Sequence, residues 1–592
     1  MELPKSIVHV LRARGRELGD TPALWSKRNG SYQPTSWREY ASLVERTGRG
    51  LMTLGLKPGQ AVGILGFNRI EWHLAAYGAM SAGGTPVGIY VTSSPEQIQY
   101  IVHHCEAPIV VVENLAQLEK VRAQRANLPH LKHVVLMEGR ADDAVSFDDL
   151  LARADGTPRE DLDARVAGLE PEGLATLIYT SGTTGPPKGV EITHKNVVWT
   201  AAYLTKCVGA PEGEILISYL PLSHIAEQLV SMHCGVWNRF EVYFAESLEK
   251  LPENLREVRP TLFFAVPRVW EKFKARLEDA IAQAPAQRKK LLARAQKVAT
   301  AYHERAMVSE KPGPLVALQY AIFKRLVFSK LHARLGLERC KLFGTSAAPI
   351  GRDVLEFFRA IDVPLLETYG QSEVTGPTSV SIPGAARFGF LGRPMPGLTV
   401  RIAEDGEILV KGDNVCKGYH KEPAATAELL EGGWMHSGDV GEIDAQGYLR
   451  ITDRKKDLIV TSGGKKAAPQ ELEKHLRAIF PVGNAVVVGE SRNYLCALLT
   501  LDPDAAKRFA RERGLPEDPG ALVANPTLQA QLQQGVDALN GKLAKWETIK
   551  RFEILPSDFT VEGGELTPTL KIKRKVVAEK YRANIERMYE GD

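Results

Sequence analysis

From about residue 60 to residue 190, short apolar runs at 61–65, 72–80, 85–90, 108–112 and 133–137 alternate with stretches of helical texture. That alternation predicts βα units and a mainly parallel sheet. The rhythm resumes with apolar runs at 215–220, 262–266, 341–343 and 364–366. One large α/β body extending to about residue 450 is therefore expected.

Between residues 268 and 335 the texture changes to a long helical insert, broken at Lys311-Pro312-Gly313-Pro314. Its last part mixes Ile322, Phe323, Leu326, Val327 and Leu331 with Lys324, Arg325, Lys330, His332 and Arg334. Such a basic amphipathic helix either lies on an anionic membrane surface or packs its apolar stripe against the domain. Further on, the charged stretch Asp453-Arg454-Lys455-Lys456-Asp457 separates strand-like 448–451 from strand-like 458–460 and reads as an exposed connector. The expected division is a large N-terminal α/β domain at 1–452, a connector at 453–457 and a smaller C-terminal α+β domain at 458–592.

A chain of 592 residues is too long for a single core. At 44% hydrophobic and 25% charged residues it has ordinary globular composition, and a net charge of +4 gives no reason to expect nucleic acid as a partner. Six cysteines stand singly, without a Cys-x-x-Cys pair, and the N-terminus does not read as a secretory leader, so a reducing cytoplasmic compartment is expected. No uninterrupted apolar run approaches the ~20 residues that span a bilayer, which leaves peripheral contact as the expected form of any membrane association.

The stretch most suggestive of chemistry runs Tyr179-Thr180-Ser181-Gly182-Thr183-Thr184-Gly185-Pro186-Pro187-Lys188-Gly189-Val190. It follows a short buried strand at 175–179 and is expected to lead into a helix opening near Lys195. Hydroxyls, backbone N–H groups and a lysine are the donors a polyphosphate needs, and glycine lets the backbone approach the anion closely. A Walker loop is excluded, since position 187 is Pro and Lys188 is followed by Gly189. A plain Gly/Thr turn would otherwise account for the composition.

This loop resembles the phosphate-loop signature of the adenylate-forming superfamily, which includes acyl-CoA synthetases, firefly luciferase and the adenylation domains of peptide synthetases. The resemblance implies that Thr180, Ser181, Gly182, Thr183, Thr184, Gly185 and Lys188 bind the phosphates of ATP. Further segments are similar to the family's motifs, in the family's order. Leu220-Pro221-Leu222-Ser223-His224 would place His224 at the acyl pocket, and Phe343-Gly344-Thr345-Ser346-Ala347-Ala348 would set Gly344, Thr345 and Ser346 along the adenine. In Glu367-Thr368-Tyr369-Gly370-Gln371-Ser372-Glu373, the resemblance puts Tyr369 on the adenine face beside Gly370 and Gln371. It puts Ser372, where most relatives have Thr, at the α-phosphate, and Glu373 on Mg²⁺ with Thr180 as a second candidate ligand.

Gly406-Glu407-Ile408 through Thr426 and Trp434-Met435-His436-Ser437-Gly438-Asp439 follow, implying that Asp439 holds both ribose hydroxyls. Arg454 matches a second ribose contact, Lys456 the residue about which the C-terminal domain swings, and Ser462, Gly463, Gly464 and Lys466 a CoA-facing loop. Leu566-Thr567-Pro568-Thr569-Leu570-Lys571-Ile572-Lys573-Arg574 resembles the catalytic-lysine motif in the form associated with long-chain and bubblegum-type fatty acyl-CoA synthetases. Lys571 then becomes the catalytic lysine, with Lys573 and Lys575 as rival registers. By themselves His224, Ser437-Gly438-Asp439 and the basic run would also suit a structural histidine, a turn and a solvated face.

The resemblance implies an ATP- and Mg²⁺-dependent ligase that converts a medium- to long-chain fatty acid to an acyl-adenylate and then to acyl-CoA, releasing pyrophosphate and AMP. Phe263 to Phe273 and the insert behind them also look like the long-chain branch. The competing expectations are a fatty acyl-AMP ligase that loads a carrier protein, a CoA ligase for an aromatic acid, and a silent member that binds nucleotide and lipid without turnover.

Overall fold

A computed structural model describes residues 3–180, 186–567 and 571–590. The N-terminal body is built on an eight-stranded sheet in the order Gly418–Tyr419, Lys188–Thr193, Leu174–Thr180, Thr85–Ile89, Ala61–Leu65, Ile109–Val112, His133–Leu136, Val145–Ser146. From Leu174–Thr180 outward to Val145–Ser146 the strands are parallel. Their near-continuous Val, Ile and Leu content follows from burial on both faces. The helix Ile70–Ser81 has every residue but Glu71 buried, which is why it is apolar all round and reads in sequence as another apolar run.

A second sheet pairs Leu262–Ala265, Leu342–Thr345 and Leu365–Gln371 in parallel and turns antiparallel at Gly376–Val380. Ile215–Ser218, Glu241–Phe244, Pro22–Arg28 and Ser31–Ser36 form a third, and an antiparallel sheet of Thr399–Ile402, Glu407–Lys411, Met435–Ile443 and Leu449–Arg454 closes the body. Beyond it, a mixed sheet of Val482–Val488, Leu495–Leu501 and Ile549–Ile554 has its own apolar core, with Phe509, Leu528 and Leu532 fully buried. Truncating such a side chain to Ala costs about 3–5 kcal/mol for Phe and 2–5 for Leu.

Two expectations need correcting. The glycine-rich loop does not lead from strand to helix: Lys188–Thr193 is a strand antiparallel to Leu174–Thr180, with Tyr179 opposite Gly189 and Thr180 opposite Lys188. The helix His194–Cys207 starts only after it, where the Thr193 and Asn196 side chains form a reciprocal cap. Ser181, Gly182, Thr183, Thr184 and Gly185, between these two strands in sequence, lie outside the described residues.

The charged connector is also not wholly exposed. Arg454 ends a strand opposite Asp439, and Asp453 is 1% exposed. Burial pushes the Asp453 carboxyl up to about 7, against the pull of hydrogen bonds from the Arg454 and Gln470 backbone and of the Arg574 charge. Composition marks charge density; it does not show which charges a second domain will cover.

The helical insert comprises Pro267–Ala282, Ala286–Ala306, Pro314–Phe323, a π-helical segment Lys324–Phe328, and Ser329–Leu335. Its aromatic side packs inward through Tyr320 and Phe328, whereas Leu315, Leu318, Ile322 and Leu326 remain exposed.

Candidate active site

A cavity of about 1310 Å³ opens between the body and the C-terminal domain. One end is polar. The strand Leu365–Gln371 carries Gln371 to the wall, and the turn after it adds Ser372 and Glu373. Gly370 has no substitute there, because a Cβ would come within 1.7 Å of the Gly376 carbonyl oxygen.

Asp439 is the centre of this end. Its Oδ2 accepts from the Tyr369 hydroxyl at 2.8 Å and from Gln371 Nε2 at 2.5 Å, while Arg454 Nε lies 3.2 Å from Oδ1. Cross-strand pairing puts Arg454 beside Asp439, so the ion pair follows from register. Glu407 holds the same turn from below: its Oε1 accepts from Gly438 N at 2.8 Å, and Lys455 Nζ and His436 Nδ1 sit 3.0 and 3.1 Å from its Oε2. Nearby, the Tyr419 hydroxyl donates to Glu373 Oε1 at 2.8 Å, and Lys188 Nζ stands 4.8 Å from the centre of the Tyr419 ring.

The other end is apolar. Past His224 the wall consists of Ile225, Ala226, Leu229, Val230 and Cys234, meeting Leu204, Val208, Phe240 and Phe264. His224 Nδ1 accepts from Ala226 N at 3.1 Å, which assigns the ring proton to Nε2. Burial first, and the Lys571 charge second, push His224 down to about 4, so it is neutral near pH 7.

The segment carrying His224 is clamped beneath. Asn68 Nδ2 donates to Leu220 O at 2.7 Å, Gln228 Nε2 donates to Leu222 O at 2.8 Å, and Ser218 Oγ donates to Glu227 Oε1 at 2.6 Å. Burial pushes Glu227 up to about 7.

Lys571 arrives from the C-terminal domain. Leu566 bridges Ile572, Thr567 N donates to Lys571 O at 2.7 Å and Lys571 N donates to Thr567 Oγ1 at 3.0 Å, and these contacts fix the backbone of Lys571. Arg574 anchors its base by a two-pronged contact with Glu473 at 2.8 and 2.6 Å. Of lysines 571, 573 and 575, Lys571 is the one on the cavity wall. Burial, then Arg454, lower its ammonium to about 8, partly opposed by Asp439 and Glu373.

Comparison with known proteins gives the family and the fold. Residues 11–420 match the family described as AMP-binding enzyme, and residues 456–592 match the AMP-binding enzyme C-terminal domain. The chain belongs to the AMP-binding enzyme family. It is 37% identical to the long-chain-fatty-acid–CoA ligase ACSBG2 of Xenopus laevis over 99% of this chain and 84% of that one. To the long-chain-fatty-acid–CoA ligase FadD15 of Mycobacterium bovis it is 36% identical over 95% and 93%. The adenylation domain of a carboxylate reductase from Mycobacterium chelonae superposes with a TM-score of 0.76 at 21% identity, covering 99% of this chain and 91% of that one, which shows the shared fold.

As an AMP-binding enzyme the chain brings Thr180, Lys188, His224, Gly344, Ser346, Gly370, Gln371, Ser372, Glu373, Asp439, Arg454, Lys456 and Lys571 onto one cavity wall. Others stay off it. Tyr369 is 6% exposed and packs in the main core, its hydroxyl donating to Asp439, and is not on the cavity wall. Thr345 is buried behind Gly344 by strand alternation. Ser462, Gly463, Gly464 and Lys466 lie exposed on the C-terminal domain, away from the cavity.

Tyr419, Glu407, Lys455 and the Asn68–Glu227 clamp were missed as site residues. Tyr419 and Glu407 had a signal, since both stand inside quoted motifs; Asn68 had none.

The oxygen donors fit a hard cation. Glu373 makes no ion pair among the described residues and faces the cavity, and Mg²⁺ asks for one or two carboxylates plus substrate phosphates. Thr180 Oγ1 donates to Lys188 O at 3.4 Å, a long bond that leaves the oxygen able to serve as a second ligand.

Proposed function

We propose that this enzyme activates a medium- to long-chain fatty acid with ATP and transfers it to CoA, as the names of its 36–37% identical relatives suggest. The observation that carries the reading is the single cavity in which Asp439, Arg454 and Lys571 at one end continue into the apolar arm from Ile225 to Cys234 at the other.

In the first step a carboxylate oxygen attacks the α-phosphorus of ATP, the P–O bond to pyrophosphate breaks, and an acyl-adenylate forms. Both reactants are anions. Lys571, Arg454 and Lys188 supply cationic charge where negative charge gathers, and His224 Nε2–H can donate to the acyl carboxylate. Asp439 accepts hydrogen bonds from the ribose, its carboxylate already oriented by Gln371 and Arg454. Fixed charges of this kind commonly contribute about 3–4 kcal/mol per donor. When bound through Glu373 and Thr180, Mg²⁺ would add electrostatic stabilisation to the departing pyrophosphate.

The second step needs another arrangement, because residues 462–466 lie away from the cavity while Lys571 lies in it. In this reading the C-terminal domain, from 458 onward, turns about Lys456 in the hinge at 453–457. Lys571 withdraws and the CoA sulfur attacks the acyl carbon, expelling AMP, with the adenylate shielded from water. Membrane contact, in this reading, is peripheral: among the described residues no helix is long and apolar enough to cross a bilayer.

The test is pyrophosphate release over a panel of carboxylic acids, with and without CoA. CoA-dependent thioester formation from C8 to C18 acids supports the reading. A response confined to aromatic or very short acids, or adenylate formation without CoA transfer, overturns it.

A further inference from the structure

The helical insert exposes an aliphatic stripe that nothing among the described residues covers. Leu315, Leu318, Ile322 and Leu326 are 66%, 60%, 48% and 56% exposed, and their spacing of three, four and four residues aligns them along one side of the helix. The roll of this helix is fixed from behind. The Tyr320 hydroxyl and His303 Nε2 meet Asp362 Oδ1 at 2.6 and 2.8 Å, His332 Nε2 donates to Ile361 O at 2.9 Å, and Phe328 packs on Ala295 and Ala299. Turning the stripe inward would break all of these.

Charge identifies the occupant. Residues 286–340 hold twelve Lys or Arg against three acids, a net +9, whereas the whole chain is only +4 and the remainder is therefore −5. From Lys311 to Leu337 there is no acid at all. Arg325, Lys330 and Arg334 are exposed and form no ion pair among the described residues. A second copy of this chain would set two cationic faces against each other. A bilayer with anionic headgroups satisfies both features, taking the aliphatics below the headgroup level and the Lys and Arg ends at the phosphates.

We propose that the face formed by Pro314–Leu335, with Leu315, Leu318, Ile322 and Leu326 as its apolar ridge, docks the enzyme on an anionic lipid surface. This specifies the peripheral contact named above and is independent of the catalytic reading, since vesicle binding is measured without turnover.

The experiment is co-sedimentation of the full chain with phosphatidylcholine vesicles, with and without phosphatidylglycerol, across a salt series. The wild type should bind the anionic vesicles at least tenfold more strongly than neutral ones, and raised salt should weaken binding. A triple variant, Arg325→Glu, Lys330→Glu and Arg334→Glu, should lose at least tenfold in partitioning and most of its salt dependence. Changing the four ridge residues to Ser should lower binding by a similar factor. Both variants should keep wild-type adenylation of a detergent-dispersed acid, which also reports that they fold. Equal binding to neutral and anionic vesicles, wild-type binding by the charge-reversed variant, or a wild-type dimer that the ridge variant dissociates and that ignores vesicles, would each overturn the proposal.

Discussion

The two ends of the cavity are made differently. The apolar arm is lined from the N-terminal body alone, by Leu204, Val208, Ile225, Leu229, Val230, Cys234 and Phe240, and its shape is set by one core. The polar end is assembled across a joint: Asp439 and Gln371 belong to the body, Arg454 ends the strand that runs into the connector, and Lys571 comes from the far domain. An acyl site of the first kind is formed whether or not the second domain is docked. In the proposed two-step reading, a charge-neutralising site of the second kind exists only in one domain arrangement, so the same cavity could serve adenylation and then be disarmed without unfolding anything.

The largest effect should come from removing the residue that crosses the joint. Lys571→Ala should lower adenylation, measured as acid-dependent ATP–pyrophosphate exchange, by roughly 10²–10³-fold. Thioester formation from supplied acyl-adenylate and CoA should stay within a few-fold of wild type. Equal loss in both half-reactions would mean that the two ends are not separable in this way.

Next in size is a variant confined to the arm. Val230→Trp places a large ring in open space lined by aliphatic groups, so it should shorten the accepted chain while octanoate is still activated. If four methylenes are excluded at about 0.8 kcal/mol each, the preference for palmitate over octanoate falls by about 10²-fold. A uniform loss for all chain lengths would say instead that the change disturbed the nucleotide end.

Titration then sharpens the polar end. Lys571 acts as a cation, and its ammonium, lowered to about 8, is protonated below that pH and neutral above it. Adenylation kcat/KM should therefore be flat from about pH 7 to 8 and fall about tenfold per unit beyond. Lys571→Arg, whatever its residual rate, should lose this alkaline limb. An unchanged limb in the Arg variant would assign the titration elsewhere.

The contrast between the two ends also explains what could be read from the chain. The α/β class was legible because buried parallel strands such as Ile109–Val112 announce themselves as apolar runs, and family membership because short motifs around Lys188, Glu373, Asp439 and Lys571 keep their order. Facts that depend on a neighbour distant in sequence were not legible. The strand Lys188–Thr193 is too mixed in polarity to stand out until it pairs with Leu174–Thr180. Asp453 looks solvated until a second domain covers it, and Tyr369 looks like an exposed aromatic until the main core packs around it. The Asn68–Leu220 bond joins residues 152 apart in sequence, a separation no local pattern encodes.

The smallest predicted effect concerns what holds the joint closed. Arg268 Nη2 lies 3.2 Å from Asp502 and 4.0 Å from Asp558, and Arg508 Nη1 lies 2.6 Å from Asp279, so three ion pairs link the insert's first helix to the second domain. All these partners are partly exposed, and such pairs contribute about 0–1 kcal/mol. Arg268→Ala should therefore leave folding intact, lower adenylation by no more than about fivefold, and leave thioester formation from supplied adenylate unchanged or slightly faster, because only the first half-reaction uses the closed joint. Parallel slowing of both half-reactions would mean that this contact serves general stability and does not bias the domain arrangement.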